Sequence, residues 1–296
     1  MMRSKVLKQL RLTSVLTRPF CAARASLPEP VDSQSNLALV FLGAPGVGKG
    51  TYSSRVGPLF GLHHVSTGNL VREEIRRKTT NGKLIEGLAR SGKLAPDGLV
   101  IDLLLSHLDS LGGKGFILDG FPRTLMQAKM LTSELSLDAV IQFHCSDEII
   151  LAKLSGRRVC GGCGENYNLA HIRFPGMDMP PILPKVPNQC DRCEGALIQR
   201  ADDTEEVVHH RLTVYKKETG PIEKHLSSLG LVRDFHIDLP TNRMAPKLVH
   251  LMNQIHLERD ERDLAHGRFA TPQLQAFSQE AFNSGPWKHA EVLPLA

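Results

Sequence analysis

The chain has 296 residues, of which 41% are hydrophobic and 23% charged, ordinary proportions for a folded protein. They exclude chain-wide disorder and collagen-like repeats, and no apolar run approaches the roughly 20 residues that a membrane-spanning helix needs. The net charge of +5 comes from residues 1–28, which carry six basic side chains and no acidic one, so that the remainder has 30 basic and 31 acidic residues. Because a nucleic-acid surface should be basic on the folded part, we expect neither nucleic acid nor a membrane as a partner.

Residues 1–35 are predicted to be a transit peptide and a linker. The leader is rich in arginine and hydroxyl side chains, and it lacks the continuous apolar centre of a secretory signal. This pattern is typical of organelle import, and a disordered basic tail is the alternative. Chloroplast and mitochondrial transit peptides overlap in composition: the hydroxyls favour the first and the arginines the second.

The body of the chain alternates short apolar runs with helical patterns, which predicts an α/β fold with a central parallel sheet flanked by helices. The first run, residues 37–42, is continuously apolar, as expected for a strand buried on both faces. Residues 66–95 predict a small helical insert, residues 157–203 have no helical period, and the chain from 258 to 296 predicts a loose tail. Further strands are predicted at 64–66, 116–118, 139–143 and 231–235, and helices at 48–60, 69–78, 84–91, 98–110, 124–135, 147–156, 204–226 and 246–256.

A glycine-rich loop follows the first strand and opens the first helix, with the sequence GAPGVGKGT at 43–51. Its glycines let successive N–H groups face one anion, the helix N-terminus adds its dipole, and the lysine reaches the outer phosphates of ATP. A glycine-rich turn with an exposed lysine is the alternative. The residue after the lysine is a glycine, and the hydroxyl that often follows the lysine comes one position later. The residues predicted to bind ATP here are Gly46, Val47, Gly48, Lys49, Gly50 and Thr51.

This loop resembles that of adenylate kinases, and further motifs of the family follow in order from about residue 36 to 257. They are STGNLVR at 66–72, GKLAPD at 92–97, DGFPRT at 119–124 with Gln127, GRR at 156–158, and QRADD at 199–203 with Arg211. The resemblance implies a P-loop nucleoside monophosphate kinase fold with an AMP-binding insert at 66–95 and a lid at 156–203. It also implies reversible phosphoryl transfer from Mg-ATP to AMP, giving two ADP. Asn69, Ala95 and Lys153 depart from the residues usual in the family.

The resemblance further implies the role of individual residues. The catalytic cations are Lys49, Arg123, Arg157, Arg200 and Arg211. ATP is contacted by Arg157, Asn166 and Tyr167 besides the loop. AMP is contacted by Thr67, Arg72, Lys93, Leu94, Ala95, Gly120, Phe121, Pro122, Arg123, Gln127, Arg200 and Arg211. Asp119 is expected to orient magnesium through water. Asp202 and Asp203 are expected to aim the lid arginines, or alternatively to cap the following helix.

Two C-x2-C pairs, Cys160 with Cys163 and Cys190 with Cys193, are separated by 26 residues. Such paired knuckles are typical of a structural zinc site, because each pair places two thiolates on one side of a tetrahedron. Disulfides, redox-regulated thiols and unused reduced thiols are the alternatives.

The expected activity is therefore that of an adenylate kinase with a zinc-clipped lid, acting on ATP, AMP and ADP as a monomer. The chloroplast stroma is favoured as its location, with the mitochondrial matrix as the alternative. Another monophosphate kinase, of the GTP:AMP or UMP/CMP type, is the first rival. A zinc-knuckle module that binds nucleic acid is a more remote one.

Overall fold

The computed structural model describes residues 36–90, 95–174, 177–200 and 203–266. The predicted transit peptide, Lys93, Leu94, Asp202 and the chain after 266 lie outside the described residues. Within the described part, no helix combines the length and the apolarity needed to cross a membrane.

The described residues form ten strands. In chain order these are β1 (Ala38–Gly43), β2 (His63–Ser66), β3 (Phe116–Asp119), β4 (Ala139–His144), β5 (Arg157–Cys160), β6 (Asn166–Asn168), β7 (Ile172–Phe174), β8 (Met177–Met179), β9 (Leu197–Ile198) and β10 (Val232–His236). Five of them make a parallel sheet in the order β10-β4-β1-β3-β2. The five predicted strands and the parallel sheet are thus confirmed.

The helices of the described part are α1 (Lys49–Val56), α2 (Thr67–Arg77), α3 (Thr80–Arg90), α4 (Asp97–Ser110), α5 (Leu125–Glu134), α6 (Asp147–Gly156), α7 (Glu205–Ser228) and α8 (Thr241–Ala265). A short 3-10 turn at Gly57–Phe60 continues α1. Seven of the helices agree with the predicted positions to within a few residues. The exception is α8, which begins before the predicted 246 and extends beyond the predicted 256.

Strand β1 lies at the centre of the sheet and is buried on both faces. Every residue of β1 is buried, and its side chains alternate between two apolar cores. Leu39 and Phe41 face the core that contains residues of α1 and α8. Val40 and Leu42 face the core formed with α4, α5 and α7. A continuous apolar run is therefore required here, because neither face of the strand meets water.

The C-terminal part of α8 corrects the prediction of a loose tail beginning at 258. The helix is held to the sheet by Asp138, whose carboxylate accepts a hydrogen bond from the backbone N–H of Ala38 at 2.8 Å. Its other oxygen lies 3.7 Å from Nε of Arg259 and 3.5 Å from an Nη of Arg262. These ion pairs attach the charged residues after Leu257 to the sheet, and the helix continues to Ala265.

The described part of the tract predicted to lack helical period contains two small antiparallel sheets. Strands β6, β5 and β9 form one, and β7 pairs with β8 in the other. Strand β5 pairs Arg158 with Tyr167 of β6 and Cys160 with Leu197 of β9. The predicted lid therefore begins on a strand that leaves the core directly after α6.

Candidate active site

A cavity of about 910 Å³ opens at the carboxyl ends of β1, β2 and β3. This is the edge at which ligands bind in open parallel sheets. Of the described residues predicted to bind ATP or AMP or to orient magnesium, all line this cavity except Val47, whose side chain is fully buried in the core. The cavity thus brings together residues from the glycine-rich loop, the helical insert, the segment after β3, the lid and α7.

The glycine-rich loop adopts a backbone that its glycines make accessible. Gly46 and Gly48 have φ values of 87° and 118°, in the region that L side chains rarely adopt. A Cβ at Gly46 would lie 2.5 Å from Cγ of Leu154. The backbone N–H of Val47 donates to the carbonyl of Ala44 at 3.2 Å, which tightens the turn before α1. The conformation therefore disfavours a side chain at both positions, and at Gly46 the packing excludes one as well.

Lys49 begins α1 and reaches back across the loop. Its Nζ donates to the carbonyl oxygens of Gly43 at 2.7 Å and of Ala44 at 3.0 Å. Burial lowers the pKa of Lys49 from 10.5 to about 8; Asp119 opposes this shift, and Arg123 has the largest effect among the cations that add to it. An ammonium group poised in this way is stabilised when an anion enters the cavity.

Asp119 ends β3 and faces the loop, at the carboxyl end of the sheet. Its Oδ2 lies 3.4 Å from Nε2 of His64 on the neighbouring strand β2. Burial raises the pKa of this carboxyl, but the hydrogen bond from His64 and the charge of Lys49 outweigh burial and leave the pKa below its usual value. Asp119 is therefore ionised at neutral pH.

The same carboxylate accounts for the glycine after the lysine. A Cβ at position 50 would lie 3.2 Å from Oδ2 of Asp119. Gly50 thus leaves room for the carboxylate beside the loop, and the hydroxyl of Thr51 lines the cavity one residue later.

Arginines from the lid and α7 converge on one buried carboxylate. Asp203, whose side chain is fully buried, accepts two hydrogen bonds from Arg157, one of them from Nε at 2.7 Å and the other from an Nη. An Nη of Arg211 lies 3.9 Å from the same carboxylate. Arg200 lines the cavity beside them. Asp203 therefore fixes Arg157 in a two-pronged geometry, which is the arrangement in which guanidinium groups are most strongly oriented.

The opposite wall of the cavity carries the residues predicted to bind AMP. The Thr67 hydroxyl donates to the carbonyl of Gly120 at 3.0 Å, and Nε of Arg123 donates to the same carbonyl at 2.7 Å. An Nη of Arg72 donates to Oδ1 of Asn69 at 2.5 Å. Asn69, which departs from the usual aspartate, thus still orients this arginine, through a neutral acceptor.

The four cysteines of the two knuckles meet in the predicted lid. Their Sγ atoms all lie within 4.8 Å of one another. The distances are 3.3 Å from Cys160 to Cys193 and 3.5 Å from Cys163 to Cys190. Four sulfurs around a zinc ion at about 2.3 Å are roughly 3.8 Å apart, so the donor set fits zinc.

Hydrogen bonds to sulfur support this cluster. The backbone N–H groups of Gly162 and Cys163 point at Sγ of Cys160, at 3.4 and 3.5 Å. The hydroxyl of Tyr167 donates to Sγ of Cys190 at 3.6 Å, while accepting from the N–H of Asp191 at 2.8 Å. Such donors stabilise thiolates, and Tyr167 also lines the cavity.

A model of the adenylate kinase family matches residues 41–230, more than half of the chain. The chain belongs to the adenylate kinase family. It is 44% identical over 236 residues to the probable adenylate kinase 6, chloroplastic, of Arabidopsis thaliana, with 77% of each chain covered. It is 40% identical over 238 residues to adenylate kinase 1, chloroplastic, of the same plant, which covers 74% of this chain and 81% of the relative. It is also 38% identical over 191 residues to the GTP:AMP phosphotransferase of Plasmodium falciparum, which covers 63% of this chain and 82% of the relative.

This adenylate kinase is therefore a phosphotransferase with the P-loop nucleoside monophosphate kinase fold, as the resemblance predicted. Two contacts of its site were missed by the sequence reasoning. The sequence analysis assigned no role to His64, yet this residue of β2 faces Asp119 of the neighbouring strand β3, with which β2 pairs so that Ser66 aligns with Asp119. Lys153, which replaces the usual arginine, donates to the carbonyl of Val47 at 3.2 Å and so supports the glycine-rich loop.

Proposed function

We propose that this adenylate kinase transfers the terminal phosphate of Mg-ATP to AMP through the residues that the motifs single out. The observation that carries the proposal is the convergence of six cationic side chains on one cavity: Lys49, Arg72, Arg123, Arg157, Arg200 and Arg211. Two nucleotides placed tail to tail bring about six negative charges. Phosphoryl transfer needs little covalent help, so that positioning and charge stabilisation supply most of the rate.

The role that we propose for each cation follows from the element that carries it. Lys49 and the N–H groups of the glycine-rich loop hold the outer phosphates of ATP, and Asn166 with Tyr167 covers the ATP side. Arg72 and Arg123 hold the phosphate of AMP. Arg157, Arg200 and Arg211 close over the transferring group, with Asp203 keeping Arg157 aimed. The AMP oxygen attacks in line, without a protein nucleophile.

Magnesium fits the carboxylate that faces the loop. Asp119 is ionised and lies beside Gly50 and Lys49, and carboxylate and water oxygens are the ligands that Mg²⁺ prefers. Magnesium bound with ATP supplies charge neutralisation on the outer phosphates. Asp119 orients it through water, and His64 keeps the carboxylate in place.

A coupled assay with ATP and each of AMP, GMP, UMP and CMP tests the acceptor, and GTP in place of ATP tests the donor. We expect AMP to be the preferred acceptor and ATP the preferred donor. A preference for GTP as donor would instead identify an enzyme of the GTP:AMP type. Arg123→Ala should lower kcat/KM by about 10³-fold. Arg76→Ala, at a residue with 77% of its side chain exposed, is the matched control and should leave kcat/KM unchanged.

We also propose that the cysteine cluster holds one structural zinc ion. The support is the four sulfurs within 4.8 Å and the N–H groups directed at Cys160. Four thiolates leave no open position for a reacting water, so the ion shapes the lid. Metal analysis of freshly purified, reduced protein should give about one zinc per chain; its absence would favour disulfides or unused thiols.

For the location we propose the chloroplast stroma, with the mitochondrial matrix as the alternative. The proposal is supported by the hydroxyl side chains of the leader and by the chloroplastic relatives from Arabidopsis thaliana. Import of the radiolabelled full chain into isolated chloroplasts and mitochondria distinguishes the two. We further propose that the enzyme is a monomer, which light scattering at micromolar concentration tests.

A further inference from the structure

Gln127, on the AMP side of the cavity, has both ends of its amide engaged. The residue is 5% exposed. Its Nε2 donates to Oδ1 of Asp97 at 2.7 Å, and its Oε1 accepts from the backbone N–H of Arg123 at 2.7 Å. The two partners have opposite hydrogen-bonding character, so they assign the amide nitrogen and oxygen without ambiguity.

These partners also prevent the amide from turning over. A flipped amide would place its NH2 against the N–H of Arg123 and its carbonyl against the carboxylate of Asp97. One contact would then oppose two donors and the other two acceptors, at a buried position where water has little access to satisfy them. Of these two contacts, the backbone N–H of Arg123 cannot be removed by a side-chain substitution. Asp97 is therefore the side chain that fixes the orientation of the amide, and we call this pair of contacts the lock.

The carboxylate of Asp97 is itself held from a second side. Its Oδ2 accepts from the hydroxyl of Thr124 at 3.1 Å. The same hydroxyl accepts from the backbone N–H of Gln127 at 3.1 Å, as the N-cap of α5. Because Asp97 is the first residue of α4 and directly follows the helical insert, the lock connects that insert to α5.

We propose that Asp97 is a positioning residue that sets the preference for adenine over guanine in the acceptor, by fixing the orientation of the Gln127 amide. The proposal rests on the proposed function, in which Gln127 contacts the base of AMP. Adenine carries an amino donor at its six-position, and guanine carries a carbonyl acceptor there. Arg72 and Arg123 anchor the phosphate, so the base enters in one position. A fixed amide therefore suits one base, whereas an amide free to flip accommodates both.

The experiment measures kcat/KM for AMP and for GMP with ATP as donor, in the wild type and in Asp97→Asn. An asparagine can present either its oxygen or its NH2 to Gln127, so the flip no longer opposes like groups at position 97, and the backbone N–H of Arg123 alone still disfavours it. We expect the AMP-to-GMP ratio of kcat/KM to fall about 10- to 100-fold. The change should come from a higher KM for AMP and a gain with GMP, while kcat at saturating AMP stays within a few-fold. Asp102→Asn, an exposed residue of the same helix, is the matched control and should leave the ratio unchanged.

A second set of variants separates positioning from a structural role. In a Gln127→Ala background, Asp97→Asn should not change the ratio further, because the amide that it orients is gone. Asp97→Ser, whose hydroxyl can donate or accept, should repeat the loss of selectivity if the asparagine variant fails to fold. Equal losses of kcat/KM with AMP and GMP, or a further fall of the ratio without Gln127, would overturn the role of Asp97. A wild-type enzyme that forms no ADP from ATP and AMP would instead refute the proposed function.

Discussion

Replacing Lys49 by methionine should abolish turnover and yet stabilise the fold at neutral pH. Burial lowers the pKa of Lys49 from 10.5 to about 8. At about 1.4 kcal/mol per pKa unit, the charged ammonium costs the folded state roughly 3 kcal/mol. Methionine keeps most of the stem and removes the charge. It also removes the donor to the carbonyls of Gly43 and Ala44, which costs about 1 kcal/mol for each bond. The net expectation at pH 7 is a gain of about 1 kcal/mol in the free energy of unfolding.

The pH dependence of this difference is the sharper test. The folded pKa lies below the unfolded one, so the penalty is fully present below pH 8 and disappears as the pH rises to 10.5. The advantage of Lys49→Met should therefore shrink by about 1.4 kcal/mol per pH unit between these values and change sign. Urea unfolding at pH 7, 8, 9 and 10 measures it, with the exposed Lys114→Met as control. A variant less stable than the wild type at pH 7, or a difference independent of pH, would refute this account of Lys49.

Two further substitutions test the packing around the phosphates. Asp203→Ala removes the carboxylate that aims Arg157 and should lower kcat about 10²-fold in steady-state assays; an unchanged kcat would mean that the arginine needs no such support. Gly50→Ala places a Cβ 3.2 Å from Oδ2 of Asp119 and should displace that carboxylate, raising the magnesium concentration needed for half-maximal rate. Gly87→Ala, in α3 with open space around it, is its control and should raise stability by about 1 kcal/mol in thermal unfolding without affecting the rate.

The central sheet could be predicted from the sequence because burial on both faces leaves a simple signal. Residues 37–42 are uniformly apolar, and β1 occupies nearly the same positions. The strand order carries no such signal, since it depends on which runs pair across the chain. The lid strands also escaped prediction, because β9 has only two residues and β6 three, too few for any period to be visible.

Helix α8 shows why element ends are harder to predict. The predicted start of this helix was Pro246, a residue type that favours the first helical position. The helix instead begins at Thr241 and carries the proline inside. At the other end, Leu257 and Leu264 are exposed and give no apolar stripe. What holds that end is Asp138, more than a hundred residues away in sequence, and no local pattern predicts such a contact.

The residues predicted to form the site stand in contiguous motifs, whereas the residues that support them do not. Lys49, Arg123 and Arg157 stand in recognisable segments, and all three line the cavity. His64 acts through Asp119, a partner on the adjacent strand. Asp97 likewise acts through Gln127, on the next helix along the chain. Contacts of this kind depend on tertiary structure, so single-residue chemistry cannot reveal them.

Strand β5 carries Arg157 at its first position and Cys160 at its last. At about 3.3 Å per residue, an extended backbone of this length spans roughly 10 Å and has little freedom to bend. The cysteine cluster and the guanidinium of Arg157 are thus attached to opposite ends of one short, extended strand. If heat or chelation loosens the cysteine cluster, the guanidinium of Arg157 should lose its position. The enzyme should therefore lose activity while its central sheet is still folded.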